Sequence, residues 1–354
     1  MAVSAGAFSW DLELRHKRAQ IFRLAFGMTL SAGIALGIAW PLSFITPVLT
    51  AKLLSLPRVP PMRQGVALIV ILSASFLASA MLLMPMLAYP AVYTLLLGLI
   101  LFLLFYAKAG GANPILIVFM MIGVLVVPLV GTVSQALARG VVSGLIFAAV
   151  VSVAMVYITA AIFPDPPGLP AQSGAGSGGG AGTAEIPEPR TRVGLALRSL
   201  VVIFPLAFLF LLFSATDLAV VLIFAGLLGL EPTFGTHLKA GKGLILANLA
   251  GGLVAVAVYN ILTWVPAFPF FLLLILLAGL WVGRWIFSDH PLGKLLGGGI
   301  TTVFVVLGPV VTGDAEAGAK LYLRVAMIMA AVLYVVLAFG LLERLTRGRR
   351  MVET

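Results

Sequence analysis

The sequence predicts an all-α integral membrane protein of about twelve transmembrane helices, arranged as two parallel six-helix repeats. Three observations predict it. First, of 354 residues 62% are hydrophobic and only 10% charged, whereas a soluble domain carries about 25% charged residues. Such a chain cannot cover its surface with polar groups in water, and the bilayer is the solvent that suits it. Second, the apolar residues come in long runs separated by short polar loops. Twelve spans of about 20 residues use roughly two thirds of the chain. Third, the basic residues segregate. With the N-terminus in the cytoplasm, only Arg139, Lys320 and Arg324 of the 22 Lys and Arg fall on the far side, and Lys52 lies inside a span. This is a strong positive-inside bias, which adding or removing one span would scramble.

The net charge of +10 is therefore read as membrane orientation and not as nucleic-acid binding. There is no cysteine, which removes disulfides, thiolate chemistry and Cys-ligated metals. Residues 1–20 form a cytoplasmic segment with Asp11, Glu13, Arg15, Lys17 and Arg18. No small-residue cleavage site follows a core of signal-peptide length, so the first helix is expected to stay.

The first repeat is expected over 21–163. Its spans are Leu24–Trp40, ended by Pro41; Leu42–Leu56; Gly65–Met84; Tyr89–Ala107; Ile115–Val130; and Arg139–Phe163. Leu42–Leu56 holds Pro47 and Lys52. As a helix it rises about 22 Å, short of the roughly 30 Å hydrocarbon core, so it is expected to be short, tilted or broken. A Gly/Ser/Pro-rich cytoplasmic linker occupies 164–192. Its glycines and serines keep it flexible, its prolines block regular structure, and its own residues are expected to bind nothing. The second repeat, 193–343, has spans at Leu200–Phe213, Asp217–Leu230, Gly243–Leu262, Phe268–Phe287, Leu295–Val311 and Leu321–Leu342. The tail 344–354 is basic and cytoplasmic.

The two halves can be laid over each other. Arg23 matches Arg198, the run LLSLP matches LLGLE, and Asn113-Pro114 matches His290-Pro291. Val127 to Gly131 matches Gly308 to Thr312, and Arg139 matches Arg324. Six spans per half is an even number, so the halves point the same way. Such parallel repeats are related by an axis along the membrane normal. The paired short segments, the second and eighth, are the best sequence pointer to a transport site.

On the opening RLAFGMTLSAGIALG, the loop SLPRVPPMRQG and the NP and HP turns, the chain resembles the fusaric acid resistance (FUSC) and aromatic acid exporter group of bacterial inner-membrane proteins. Its compact, membrane-only members are the most similar, and the resemblance covers about Arg18–Leu345. It implies efflux of small organic anions, aromatic carboxylic acids in particular, driven by the proton gradient. It also implies a periplasmic membrane-fusion adaptor and an outer-membrane duct as partners. Both termini would be cytoplasmic, and assembly with further copies of the chain is left open. Larger relatives carry a soluble cytoplasmic region where this chain has only the linker.

Candidate substrate-binding residues are Arg23, Arg198, Lys52, Arg139 and Arg324. Arg23 and Arg198 could hold a carboxylate by bidentate bonds or simply anchor their helices at the interface. Arg139 and Arg324 could draw an anion outward or pair with lipid phosphate. Lys52 is either an intramembrane functional charge or a side chain that snorkels to the cytoplasmic face. Proton coupling needs a carboxylate that changes protonation, and Glu231 and Asp217 are the candidates. Enzyme readings fail on spacing. Gly235 to Gly241 has five intervening residues and no Ser or Thr after Lys242, so it is not a P-loop. The three His are scattered, no HExxH exists, and no G-x-S-x-G elbow occurs in the linker. No cofactor or metal is expected. The alternatives are a major-facilitator-type carrier, whose loop after the second span PRVPPMRQG does not match, and a membrane scaffold that anchors a partner complex.

Overall fold

The computed structural model describes residues 2–56, 59–166, 187–213, 222–223, 225–226, 229–230, 238–288, 290, 292–311, 325–327, 329–331 and 333–342. Every regular element among them is an α-helix: α1 (Ala2–Ile38), α2 (Ile45–Leu54), α3 (Met62–Met86), α4 (Pro90–Ala109), α5 (Pro114–Gly131), α6 (Gln135–Ile162), α7 (Pro189–Leu212), α8 (Leu238–Trp264), α9 (Phe268–Ile286), α10 (Leu292–Val311) and α11 (Val325–Leu342). Among the described residues, eight helices are long and apolar enough to cross a membrane. Three shorter apolar stretches, Ile45–Leu54, Leu116–Gly131 and Leu296–Gly308, accompany them. By length and composition this is a multi-pass membrane protein. The span expected at 217–230 lies largely outside the described residues.

The helix surfaces carry the same message. On α4, Tyr93, Leu97, Leu101, Leu104 and Phe105 are buried, the spacing of one helix face. Val92, Leu95, Leu99 and Leu103, on the other side, are exposed and just as apolar. On α3, Val66, Val70, Leu77 and Met81 are exposed. A helix apolar all round has hydrocarbon, not water, as its solvent.

Some boundaries differ from expectation. The helix that carries the first span extends beyond it on the N-terminal side. It runs unbroken from Ala2, because no proline interrupts 2–38 and a Glu13–Lys17 ion pair of 2.8 Å joins successive turns. Likewise α7 begins at Pro189, with proline in the first turn where its missing N–H costs nothing.

The chain divides into two compact units. The first comprises Met1–Ile69, Phe147–Ser177 and Ala247–Leu321, the second Val70–Ile146, Gly178–Leu246 and Tyr322–Thr354. In the first unit α1 packs on α9 and α2, and α10 packs on α9 and α2. The α1–α9 contact is close because α9 carries Gly279-Leu-Trp-Val-Gly283. A Cβ added at Gly279 would lie 2.9 Å from Ala25 Cα, and one at Gly283 3.2 Å from Ile21 Cγ2. This small-xxx-small pattern lets membrane helices gain dispersion energy by backbone approach. In the second unit α4 packs on α7 and α5, and α5 on α7. There Phe204 fills the space over Gly98. Ser79 donates to the Gly123 carbonyl at 2.9 Å and Tyr334 to the Val202 carbonyl at 3.1 Å.

The short second run is α2, ten residues long, about 15 Å or half the hydrocarbon thickness. Every residue of it except Lys52 is buried. It is reached from α1 through a tight turn in which Ala39 (φ 57°) and Leu42 (φ 61°) are left-handed. Neither is glycine, and Pro41 stands between them. Residues held there cost free energy that the surrounding packing must offset.

Candidate functional site

The site is built in the first unit from α1 and the end of α6. Arg23 sits well inside the continuous helix α1, and only 3% of it is exposed. Helix α6 stops at Ile162 because Pro164 cannot continue it and biases Phe163 away from helical geometry. The chain then turns back onto α1. Arg23 Nε donates to the Phe163 carbonyl at 2.6 Å, and Arg23 Nη2 lies 3.0 Å from Asp165 Oδ1. Two arms of the guanidinium fork are thereby engaged, and the charge is paired as a buried charge must be. His16 Nδ1 stands 3.0 Å from the same carboxylate oxygen. It lacks the alignment of a hydrogen bond, so this contact is an electrostatic neighbour only. Around the ion pair, the Phe163 ring stacks on Phe22 (centroids 5.5 Å, 16°) and tilts against Phe26 (5.3 Å, 46°).

A seam of buried hydroxyls leads inward from Arg23. One turn along α1, Gly27 admits both α2 and α6. A Cβ there would lie 3.4 Å from Thr50 Cγ2 and 3.5 Å from Thr159 Cγ2. Thr159 donates to the Met155 carbonyl at 2.7 Å, while Thr50 and Ser152 both donate to the Thr46 carbonyl at 2.9 Å. Each of these hydroxyls is fully buried, and each is satisfied by a backbone oxygen, as a polar group in hydrocarbon must be. Thr46 is the exception: its hydroxyl is buried with no partner.

The N-terminus of α2 is not an anion cradle. The Ile45 and Thr46 amides are taken by the Leu42 and Ser43 carbonyls, and Pro47 has no N–H to offer. Among the described residues, Arg23 is the only charged side chain that is buried. On α8 and α10, Thr302 donates to Asn248 Oδ1 at 2.8 Å, both buried, where a Cβ at Gly251 would strike the α10 backbone.

The other sequence candidates are dispersed. Arg198 is half-buried on α7 in the second unit. Lys52 is exposed in the last turn of α2. Arg139 is exposed near the start of α6, its Nε 3.4 Å from the Gln135 carbonyl of its own helix. Arg324, Asp217 and Glu231 lie outside the described residues. Among the described residues no group of three or more His, Asp or Glu could hold a metal ion.

Sequence reasoning missed Asp165. It lies at the linker's first residues, where it pairs with Arg23 within the chain. The signal was available: no Asp or Glu occurs between Glu13 and Asp165. A buried cation in the first half therefore has few carboxylates to pair with.

A family model described as Protein of unknown function (DUF2955) matches residues 20–159. That span holds Arg23, Lys52 and the hydroxyl seam. No curated protein and no solved structure is significantly similar to the chain.

Proposed function

We propose that the protein is an inner-membrane efflux transporter that exports small organic anions, aromatic carboxylic acids in the first place, using the proton gradient. The observation that carries this reading is Arg23, a guanidinium 3% exposed at the end of a seam of buried hydroxyls. A buried charge is costly unless it is paired, and such groups are candidates for function. A guanidinium matches a carboxylate in geometry as well as in charge. The half-length helix α2, which lines this seam, is the kind of interrupted element on which transporters build their sites.

The finer architecture belongs to the same proposal. Twelve spans form two parallel six-helix repeats of the fusaric acid resistance type, with both termini cytoplasmic. The bounds of the family match, 20–159, run close to those of the first repeat, 21–163. Pro128 and Pro309 stand at like places near the ends of α5 and α10, which supports the repeat. Arg198, Lys52, Arg139 and Arg324 would attract the anion, and Glu231 and Asp217 would carry the proton. A periplasmic adaptor and outer-membrane duct would complete the route.

One observation favours a second reading, a membrane scaffold: Arg23 is already satisfied by an internal carboxylate. Transport decides between them. In cells stripped of other efflux pumps and expressing the protein with its adaptor, labelled benzoate should accumulate less than in empty-vector cells. Arg23→Gln should restore accumulation. If expression changes nothing for a panel of aromatic acids, the export reading fails and the scaffold stands.

A further inference from the structure

The geometry points to Phe163–Pro164–Asp165 as a built-in occupant of a ring-and-carboxylate site on α1, one that a small aromatic monocarboxylate takes by displacing this strap. The inference rests on the export reading above and concerns how the same site is regulated.

Within little more than one turn, α1 presents Phe22, Arg23 and Phe26. The strap brings two groups to them. The Phe163 ring lies against both phenylalanines, 5.5 Å from Phe22 and 5.3 Å from Phe26, and the Asp165 carboxylate lies 3.0 Å from Arg23 Nη2. One benzene ring and one carboxylate are what a benzoate-like molecule carries. The strap supplies them from two residues, and the solute supplies them from one.

The pair is lopsided in a way that favours exchange. The Asp165 side chain is 36% exposed and that of Arg23 4%. Asp165 can leave into water and be solvated there, whereas Arg23 cannot follow it. The guanidinium left behind is a buried, uncompensated charge, the costly half of a broken pair, and another carboxylate relieves that cost. Pro164 keeps the strap from being absorbed into α6, so it remains a separate arm. A tethered competitor of this kind acts at an effective concentration on the order of millimolar. The site therefore binds its solute weakly and fills only when the solute is abundant, which suits a protein that must release what it exports.

The chain has no cysteine, so a single Pro166→Cys reports on the strap alone. The measurement is the rate of maleimide labelling of the full-length protein in nanodiscs during titration with sodium benzoate. Sodium acetate, a carboxylate without a ring, and benzamide, a ring without the charge, serve as controls. Benzoate should raise the rate about tenfold, a shift of the order of 1.4 kcal/mol in strap release, and the controls should not. Adding Asp165→Asn should speed labelling without benzoate and tighten benzoate binding by about tenfold, as expected when a competing state is removed. Arg23→Gln should label fast and ignore benzoate, and Arg23→Lys, which keeps the charge, should respond weakly. The titration of Pro166→Cys alone needs no folding assumption about these further variants. If benzoate leaves the rate unchanged while Arg23→Gln raises it, the strap is a fixed clamp and the proposal is overturned. Acetate or benzamide acting as well as benzoate overturns it too. A labelling response without export in cells supports the strap and removes only the transport reading. Export without a labelling response removes only the strap.

Discussion

In the first unit the buried polar groups are the hydroxyls of Ser31, Ser43, Thr46, Thr50, Ser152, Thr159 and Thr302, the amides of Gln20 and Asn248, and the guanidinium of Arg23. In the second unit, among the described residues, they are Ser79, Ser199 and the Tyr93 hydroxyl, which is buried with no partner. Helices long and apolar enough to cross a membrane occur in both units, so apolarity alone does not separate them. What separates them is how the interior is filled. The second unit packs aromatic and aliphatic side chains over small residues, as Leu125 and Met121 do over Gly226. The first unit admits hydroxyls, satisfies them with carbonyls, and surrounds a charge. In hydrocarbon a buried polar group has no water to fall back on, so a unit that collects them carries a cost, and that cost marks where function is to be sought.

The contrast between Arg23 and Arg198 is the sharpest form of this comparison, and testing it should give the largest effect. Asp165→Ala leaves Arg23 buried and unpaired. It should cost about 3 kcal/mol, the usual result of breaking a buried pair from one side. Arg198→Gln, at a half-buried position in the second unit, should cost less, no more than about 1 kcal/mol. Thermal unfolding midpoints in one detergent compare the two. Equal losses would end the claim that the two arginines differ in role.

Glycine contacts come next. Gly279→Ala puts a methyl 2.9 Å from the Ala25 Cα, a backbone atom that cannot swing aside, and should cost about 2 kcal/mol by overpacking. At Gly98 the nearest atom is a ring carbon of Phe204, 3.3 Å away, which can yield. Gly98→Ala should therefore be neutral, or gain up to about 1 kcal/mol from helix propensity. The same melting assay reads both, and a larger loss at Gly98 would reverse the ranking of the two packings.

The smallest effects test the hydroxyls of the first unit against each other. Thr302→Val removes a bond to Asn248 and should cost about 0.6 kcal/mol, typical of interhelical hydrogen bonds in membranes. Thr46→Val removes a hydroxyl that has no partner and should cost nothing. If Thr46→Val nevertheless lowers benzoate export, that hydroxyl serves the solute and not the fold.

Much of the architecture was legible in advance because its causes are local. Pro41 ends the first apolar run, Asn113-Pro114 opens α5, and the segment with Pro47 and Lys52 is short and ends as a ten-residue helix. Residues 1–20 read only as a cytoplasmic segment, and a charged segment without proline is able to continue a helix, as it does in α1. Arg23 was singled out from its place at the head of an apolar run. Its partner was not, because the linker was judged by its glycine and serine content, and that average hid the one aspartate at its start.

By itself the sequence determined that the chain is a multi-pass membrane protein by composition, and where several of its apolar runs break. In hydrocarbon each backbone group must bond within its own segment, so those decisions depend on neighbours a few residues away. The tertiary structure alone decided that Arg23 is buried and Arg198 only half-buried, which carboxylate meets Arg23, and which face of α2 is left to Lys52. These depend on residues brought together from afar: Arg23 and Phe163 are 140 positions apart along the chain, and only packing makes them neighbours.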